Sequence, residues 1–291
     1  MRTGVSTSNV RPARSGFTLI ELVMVILVTA ILAVVVGRFV AQPVEGYLDA
    51  DRRARLLDLA DTALERMTRE IRLALPNSVR VSGTGRDVEF LRVLTGARYR
   101  RAPPGDPLDF TVNSDSFDVL GTLLDAGRIA VAGGATQAGC VADAVDCLVI
   151  YNTGQPGADA YNQDNIAAIR AASATSVTFA RTSPFPLTSA QQRFYVVDTP
   201  VSFLCDDGAA QNIRRYSNYA ITANHASVDE AAELLGAGAA ETLLVEQVSA
   251  CSFSYQPGTA TRGGLVTLAL TVEEAGEQVS VLQQVHVSNL P

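Results

Sequence analysis

Lysine is missing from this 291-residue chain: its 23 basic residues are all arginine, set against 30 Asp and Glu for a formal net charge of -7. No basic tract stands anywhere in it, which argues against nucleic acid as a partner, since that affinity rests on neutralised phosphates. Histidine is nearly absent. His225 and His286 lie far apart without ligand spacing, and Cys140, Cys147, Cys205 and Cys251 complete the soft metal ligands, so a structural zinc site is not expected. Charge of either sign is scarce at 18%, below the ~25% of ordinary soluble domains, while 47% of residues are hydrophobic, which excludes disorder as the main state.

Catalytic signatures are also missing. There is no G-x-S-x-G elbow, Walker A loop or H-E-x-x-H helix. Gly83-Thr84-Gly85 precedes a strand instead of a helix and reads as a turn, as does Asp206-Asp207-Gly208. Asp159, Asn162, Asp164 and Asn165 could offer oxygens to calcium, but their spacing is not that of an EF-hand and a solvated loop is expected. The chain is therefore read as no enzyme, with no cofactor and no resident metal.

What is present begins at residue 17. Residues 1–16 are polar, carry Arg2, Arg11 and Arg14 and have no acid; the twenty residues 17–36 (FTLIELVMVILVTAILAVVV) then hold Glu21 as their only charge. At about 1.5 Å per residue this run spans the ~30 Å hydrocarbon core of a bilayer, and it is longer than a cleavable secretory signal. The flanking arginines put residues 1–16 in the cytoplasm and export the remainder. Glu21 is the oddity, because an acid within hydrocarbon costs about 2.5–3.5 kcal/mol and calls for a neutralising partner.

The run Gly16-Phe17-Thr18-Leu19-Ile20-Glu21 resembles the N-terminal signal of type IV pilins and type II secretion pseudopilins. That resemblance implies cleavage between Gly16 and Phe17 by a prepilin peptidase, N-methylation of Phe17, and a charge pair between Glu21 and the freed Phe17 amine of a neighbouring subunit. It implies an inner-membrane protein crossing once, with a periplasmic C-terminal domain, that passes into a pilus or pseudopilus. Its partners would be other major and minor pilins and the inner-membrane assembly machinery.

Beyond the membrane, Gly37 and Pro43 predict a bend or partial melting near 37–46. Leu56, Leu59, Ala60, Ala63, Met67, Ile71 and Ala74 then form a stripe at helical spacing that requires a sheet to cover it, and Pro76 should stop the helix at Leu75. The expected organisation is thus a leader over 1–16, a transmembrane assembly helix over 17–36, its amphipathic continuation over 37–75 and a β-rich domain over 76–291. The fold class is α+β: a long N-terminal transmembrane helix packed by its C-terminal half on an antiparallel β-sheet domain.

Within 76–291, short apolar runs alternate with turn residues. Strands are expected at 79–81, 87–94, 117–120, 147–151, 177–181, 194–197, 201–205, 212–219, 243–255, 265–273 and 278–287, the last two as a hairpin. Residues 102–115 and 152–170 read as loops, and 228–240 as a short helix. Four cysteines in an exported chain read as two disulfides. Three pairings exist, and Cys140–Cys147 with Cys205–Cys251 is preferred, because the first closes a short loop and the second joins two strands.

Several segments, among them 51–55, 69–80, 194–201, 214–216, 263–268 and 284–289, resemble a minor pilin of the mannose-sensitive haemagglutinin (MSHA) pilus system. The implied function is a minor pilin that primes or caps pilus assembly. The alternatives are a minor pseudopilin of type II secretion or, in a different class, a membrane-anchored periplasmic binding protein or enzyme.

Overall fold

The computed structural model describes residues 16–258 and 262–288, with backbone alone for 40–45. The chain divides into one unit ending at Arg52 and a second beginning at Arg53. Helix α1 (Leu19–Ile71) contributes to both. Residues 37–46 keep their helical assignment, so the partial melting expected there does not occur. Pro43 withdraws one donor from the ladder, and that single loss leaves the neighbouring backbone bonds in place.

In the second unit, Leu56, Ala60, Ala63, Leu64, Met67 and Ile71 of α1 are each at most 2% exposed. They share one core with residues of two sheets, among them Phe90, Phe203, Phe253 and Leu268. The helix ends four residues earlier than expected. Leu75 N–H donates to Leu91 O and Val93 N–H to Leu73 O, so residues 73–75 run as a short ladder against a strand before Pro76 is reached.

The larger sheet contains β1 (Arg80–Val81), β2 (Asp87–Tyr99), β3 (Ser116–Leu120), β4 (Cys147–Ile150), β5 (Ile166–Ala172), β6 (Ser176–Ala180), β7 (Arg193–Asp206), β8 (Asn212–Ser217) and β9 (Ala240–Glu246), with helix α2 (Gln137–Val141) ahead of β4 and α3 (Ala231–Gly236) ahead of β9. All pairings are antiparallel. Their order β2-β3-β6-β5-β4-β7 closes on itself, because β7 also pairs with β2 from Asp87–Leu204 to Arg98–Arg193. The result is a six-stranded barrel filled by Tyr99, Phe117, Leu148, Ile169, Phe179 and Phe194. Register shifts between Leu91 and Thr95 mark where β2 leaves the open sheet for the barrel.

Strand β7 joins the two runs expected at 194–197 and 201–205. Pro200 falls where the strand changes neighbours, after pairing with β4 ends at Val197 and before pairing with β8 begins at Val201, so no partner on that edge waits for its missing N–H. The loop expected over 152–170 is corrected at its end by β5. Ile166, Ala167, Ala168 and Ile169 are fully buried, and burial on both faces removes the alternation that announces a strand.

A second sheet holds β10 (Val248–Gln256), β11 (Gly264–Glu274) and β12 (Glu277–Val287). The strand expected at 243–255 is thus two strands of different sheets, parted at Gln247, whose φ is 63°. The β11–β12 hairpin turns at Ala275 and Gly276, both at positive φ, the backbone a two-residue hairpin turn requires. Cys140 is bonded to Cys147 and Cys205 to Cys251, with Cα separations of 5.3 and 6.5 Å. The second bond ties β7 to β10 and hence one sheet to the other.

Candidate functional site

The first unit presents the anchor. Gly16 and Phe17 precede α1 in non-helical backbone, and Phe17 is 78% exposed. A Cβ built on Gly16 meets nothing within 4 Å among the described residues, so no packing contact seen there demands glycine. Thr18 caps the helix: its hydroxyl accepts from Glu21 N–H at 3.3 Å. Thr18-Leu19-Ile20-Glu21 is therefore also a capping-box sequence, a signal present in the residues that the sequence reading did not use.

Leu19–Phe39 is the one helix among the described residues long and apolar enough to cross a membrane, and none of it is buried. Its 21 residues rise about 31 Å. Thr29 turns its hydroxyl back onto Val25 O at 2.7 Å, which satisfies it inside an apolar surrounding. Glu21 differs: among the described residues its carboxylate has no hydrogen-bond or ion-pair partner, and the exposed face of α1 is where one must come from. The leader, with Arg2, Arg11 and Arg14, lies outside the described residues.

Residues 11–37 match the family model described as the prokaryotic N-terminal methylation motif. The chain is type IV pilin-like at its N-terminus. With the apolar helix, the motif marks a single-pass, membrane-anchored protein and implies processing by a prepilin peptidase and pilins as partners. No curated protein and no solved structure matches the chain.

Elsewhere the structure assigns the polar residues that the sequence singled out. Asp164 Oδ2 accepts from Gly157 N–H at 2.8 Å, and Asp159 accepts from Tyr161 N–H and from Asn162 at 3.0 Å each, so these carboxylates hold their own loop. Asp206 accepts from Gly208 N–H at 3.0 Å in a turn, and Asp207 pairs with Arg86. His286 is exposed on β12. His225 sits with Nε2 2.7 Å from Asp87 and 3.6 Å from Glu89.

That contact belongs to a buried cluster with no linear signature. Glu89 is fully buried and accepts from Arg80 Nε at 2.6 Å and from the Tyr219 hydroxyl at 3.1 Å. Arg80 also donates to Thr222 O at 2.9 Å and lies 3.7 Å over the Tyr161 ring. Burial pushes the Glu89 carboxyl up, and the Arg80 charge opposes it.

A second group of acids lines an open cavity of about 470 Å³ beside the Cys140–Cys147 loop. Asp198 is held by Arg92, while Asp143 and Asp146 share the cavity with it. Burial pushes Asp143 up to about 7, with Asp198 and Asp146 adding repulsion, and pushes Asp146 up to about 6 against the Ala130 N–H that favours its charged form. Both folded values stand above the unfolded ~3.9. The stability these groups lend is complete below about pH 4 and is lost as pH rises through 6 to 7. Asp143→Asn is therefore expected to raise Tm at pH 7.5 by about 2–4 °C, the size of a 1 kcal/mol change in a domain of this length, and to change it little at pH 4. Calorimetry at the two pH values measures this; an equal shift at both sinks it.

Proposed function

We propose that this chain is a non-enzymatic minor pilin of an MSHA-type pilus, similar to the biogenesis protein MshO, which enters the filament through α1 and primes or caps its assembly. The observation that carries this reading is Gly16. Among the described residues glycine stands there without a packing reason, next to an exposed Phe17 in open backbone, at the head of an unburied apolar helix with one acid. A residue that folding does not select is explained by recognition, and a peptidase that cuts after Gly16 supplies it. The arginine-rich leader then stays cytoplasmic, the β-rich domain is periplasmic, and α1 carries the mature chain into the filament.

Mass analysis of the mature N-terminus is expected to find a chain that begins with methylated Phe17. An intact leader, or cleavage beyond residue 36, overturns the reading. Deletion of the gene is expected to deplete MSHA-type pili and leave type II secretion intact. The reverse outcome assigns the chain to a pseudopilus.

A further inference from the structure

Every sheet ends in strands whose outer backbone groups lack a neighbour, and soluble folds blunt such edges with charge, prolines, bulges, short length or a covering loop. Among the described residues, three of the four edges are blunted. β1 has two residues. β9 carries Glu241 and Glu246 and breaks register against β8 between Ile213 and Arg214. β10 is capped by the preceding loops, with Phe253 N–H donating to Gly85 O at 2.7 Å and Val248 N–H to Gln211 O at 2.9 Å.

Among the described residues, β12 lacks these devices along its length beyond its first position. It pairs with β11 over eleven consecutive residues without a register break, and among the described residues no strand lies on its other side. It holds no proline, lysine or arginine, and its only acid, Glu277, stands at its first position. Leu282, at its centre, is 63% exposed, while Val279 and Val281 on the other face are only partly buried at the rim of the helix–sheet core.

We propose that the outer edge of β12 pairs antiparallel with the β12 of a second copy of this chain, in a register centred on Leu282, so that two three-stranded sheets become one of six strands. The strand is complementary to itself in that register. Leu282 faces Leu282, Ser280 faces Gln284 and Gln278 faces His286 on one side of the sheet; Val279 faces Val285 on the other. This edge lets two acidic copies meet without opposing charges, because its one acid, Glu277, is paired with Arg53 and the antiparallel arrangement sends the two Glu277 side chains to opposite ends, about 34 Å apart. A parallel pairing would set them side by side. The pairing also covers the partly buried Val279 and Val281, which one copy leaves at the rim.

The test is site-directed cross-linking of the full-length protein in membranes. The native cysteines are all disulfide-bonded, so Leu282→Cys introduces a lone thiol at the proposed dyad. Mild oxidation is expected to give covalent dimer at a yield about tenfold or more above Ser280→Cys, whose two copies would lie about 14 Å apart along the paired strands, beyond disulfide reach. Leu282→Lys, at a site exposed enough to leave folding alone, is expected to convert dimer to monomer in sedimentation of detergent-solubilised protein. No dimer from Leu282→Cys, equal yields from both positions, cross-linking to a different protein, or a dimer that survives Leu282→Lys each overturns the proposal.

Discussion

Glu21→Ala and Glu21→Leu are expected to lower recovery of the protein in sheared filaments about tenfold or more, which corresponds to ~1.4 kcal/mol of lost association, while membrane insertion and leader cleavage continue. Insertion should become easier, because the substitution removes an acid that costs about 2.5–3.5 kcal/mol in hydrocarbon. Cleavage at Gly16 would free the Phe17 amine, yet within one helix that amine and Glu21 are separated by about 6 Å of axial rise. A neighbour shifted along the filament brings a carboxylate closer to it. The capping-box sequence Thr18 to Glu21 offers a competing account, in which the Glu21 carboxylate turns back to accept from Thr18 N–H and serves only its own helix end. Glu21→Gln separates the two, since glutamine completes a capping box but carries no charge. If pairing decides assembly, Gln fails alongside Ala; recovery of Gln at the wild-type level assigns Glu21 to the cap. Undiminished recovery of all three variants removes it from both roles.

Arg80→Ala is expected to destabilise the β-rich domain by about 3–5 kcal/mol, the cost of leaving a buried carboxylate without its cation. Glu89 is fully buried, and its remaining neighbours among the described residues are the Tyr219 hydroxyl and His225, which already faces Asp87. Thr222 O loses its donor in the same change. The double substitution Arg80→Leu with Glu89→Leu removes both charges together and should cost clearly less than Arg80→Ala alone, because desolvation of the pair disappears with its attraction. Urea unfolding of the detergent-solubilised protein measures both. A single-variant loss under about 1 kcal/mol, or a double variant as unstable as the single, would show that this ion pair is not what holds the cluster.

Features encoded over a few residues were legible without the structure. Gly16 to Glu21, the α1 stripe from Leu56 to Ile71 and the Ala275-Gly276 turn each state their meaning within a few consecutive helical turns or a single hairpin. The barrel was not legible, because its closure depends on β2 meeting β7 from Val93–Val197 to Arg98–Arg193, far apart in the chain, a pairing with no local mark. The same distance hides the buried cluster: Arg80 and Glu89 are near in sequence, but Tyr219 and His225 arrive from beyond β8. β5 was hidden for a different reason, since alanines buried on both faces carry neither alternation nor strand preference.

The two strands that β2 and β7 contribute to both the open sheet and the barrel make the barrel inseparable from its host. A domain inserted through two adjacent chain crossings can be excised, exchanged or lost, and the remainder closes over the gap. Here excision would cut β2 beyond Leu91 and β7 before Pro200, which takes the edge from the sheet that covers α1. Insertions are therefore expected to be tolerated best at exposed positions of loops such as 102–106 and 154–157, which touch no shared strand. Melting is expected to follow the same rule, with barrel and sheet losing their structure in a single calorimetric transition, since each shares β2 and β7 with the other.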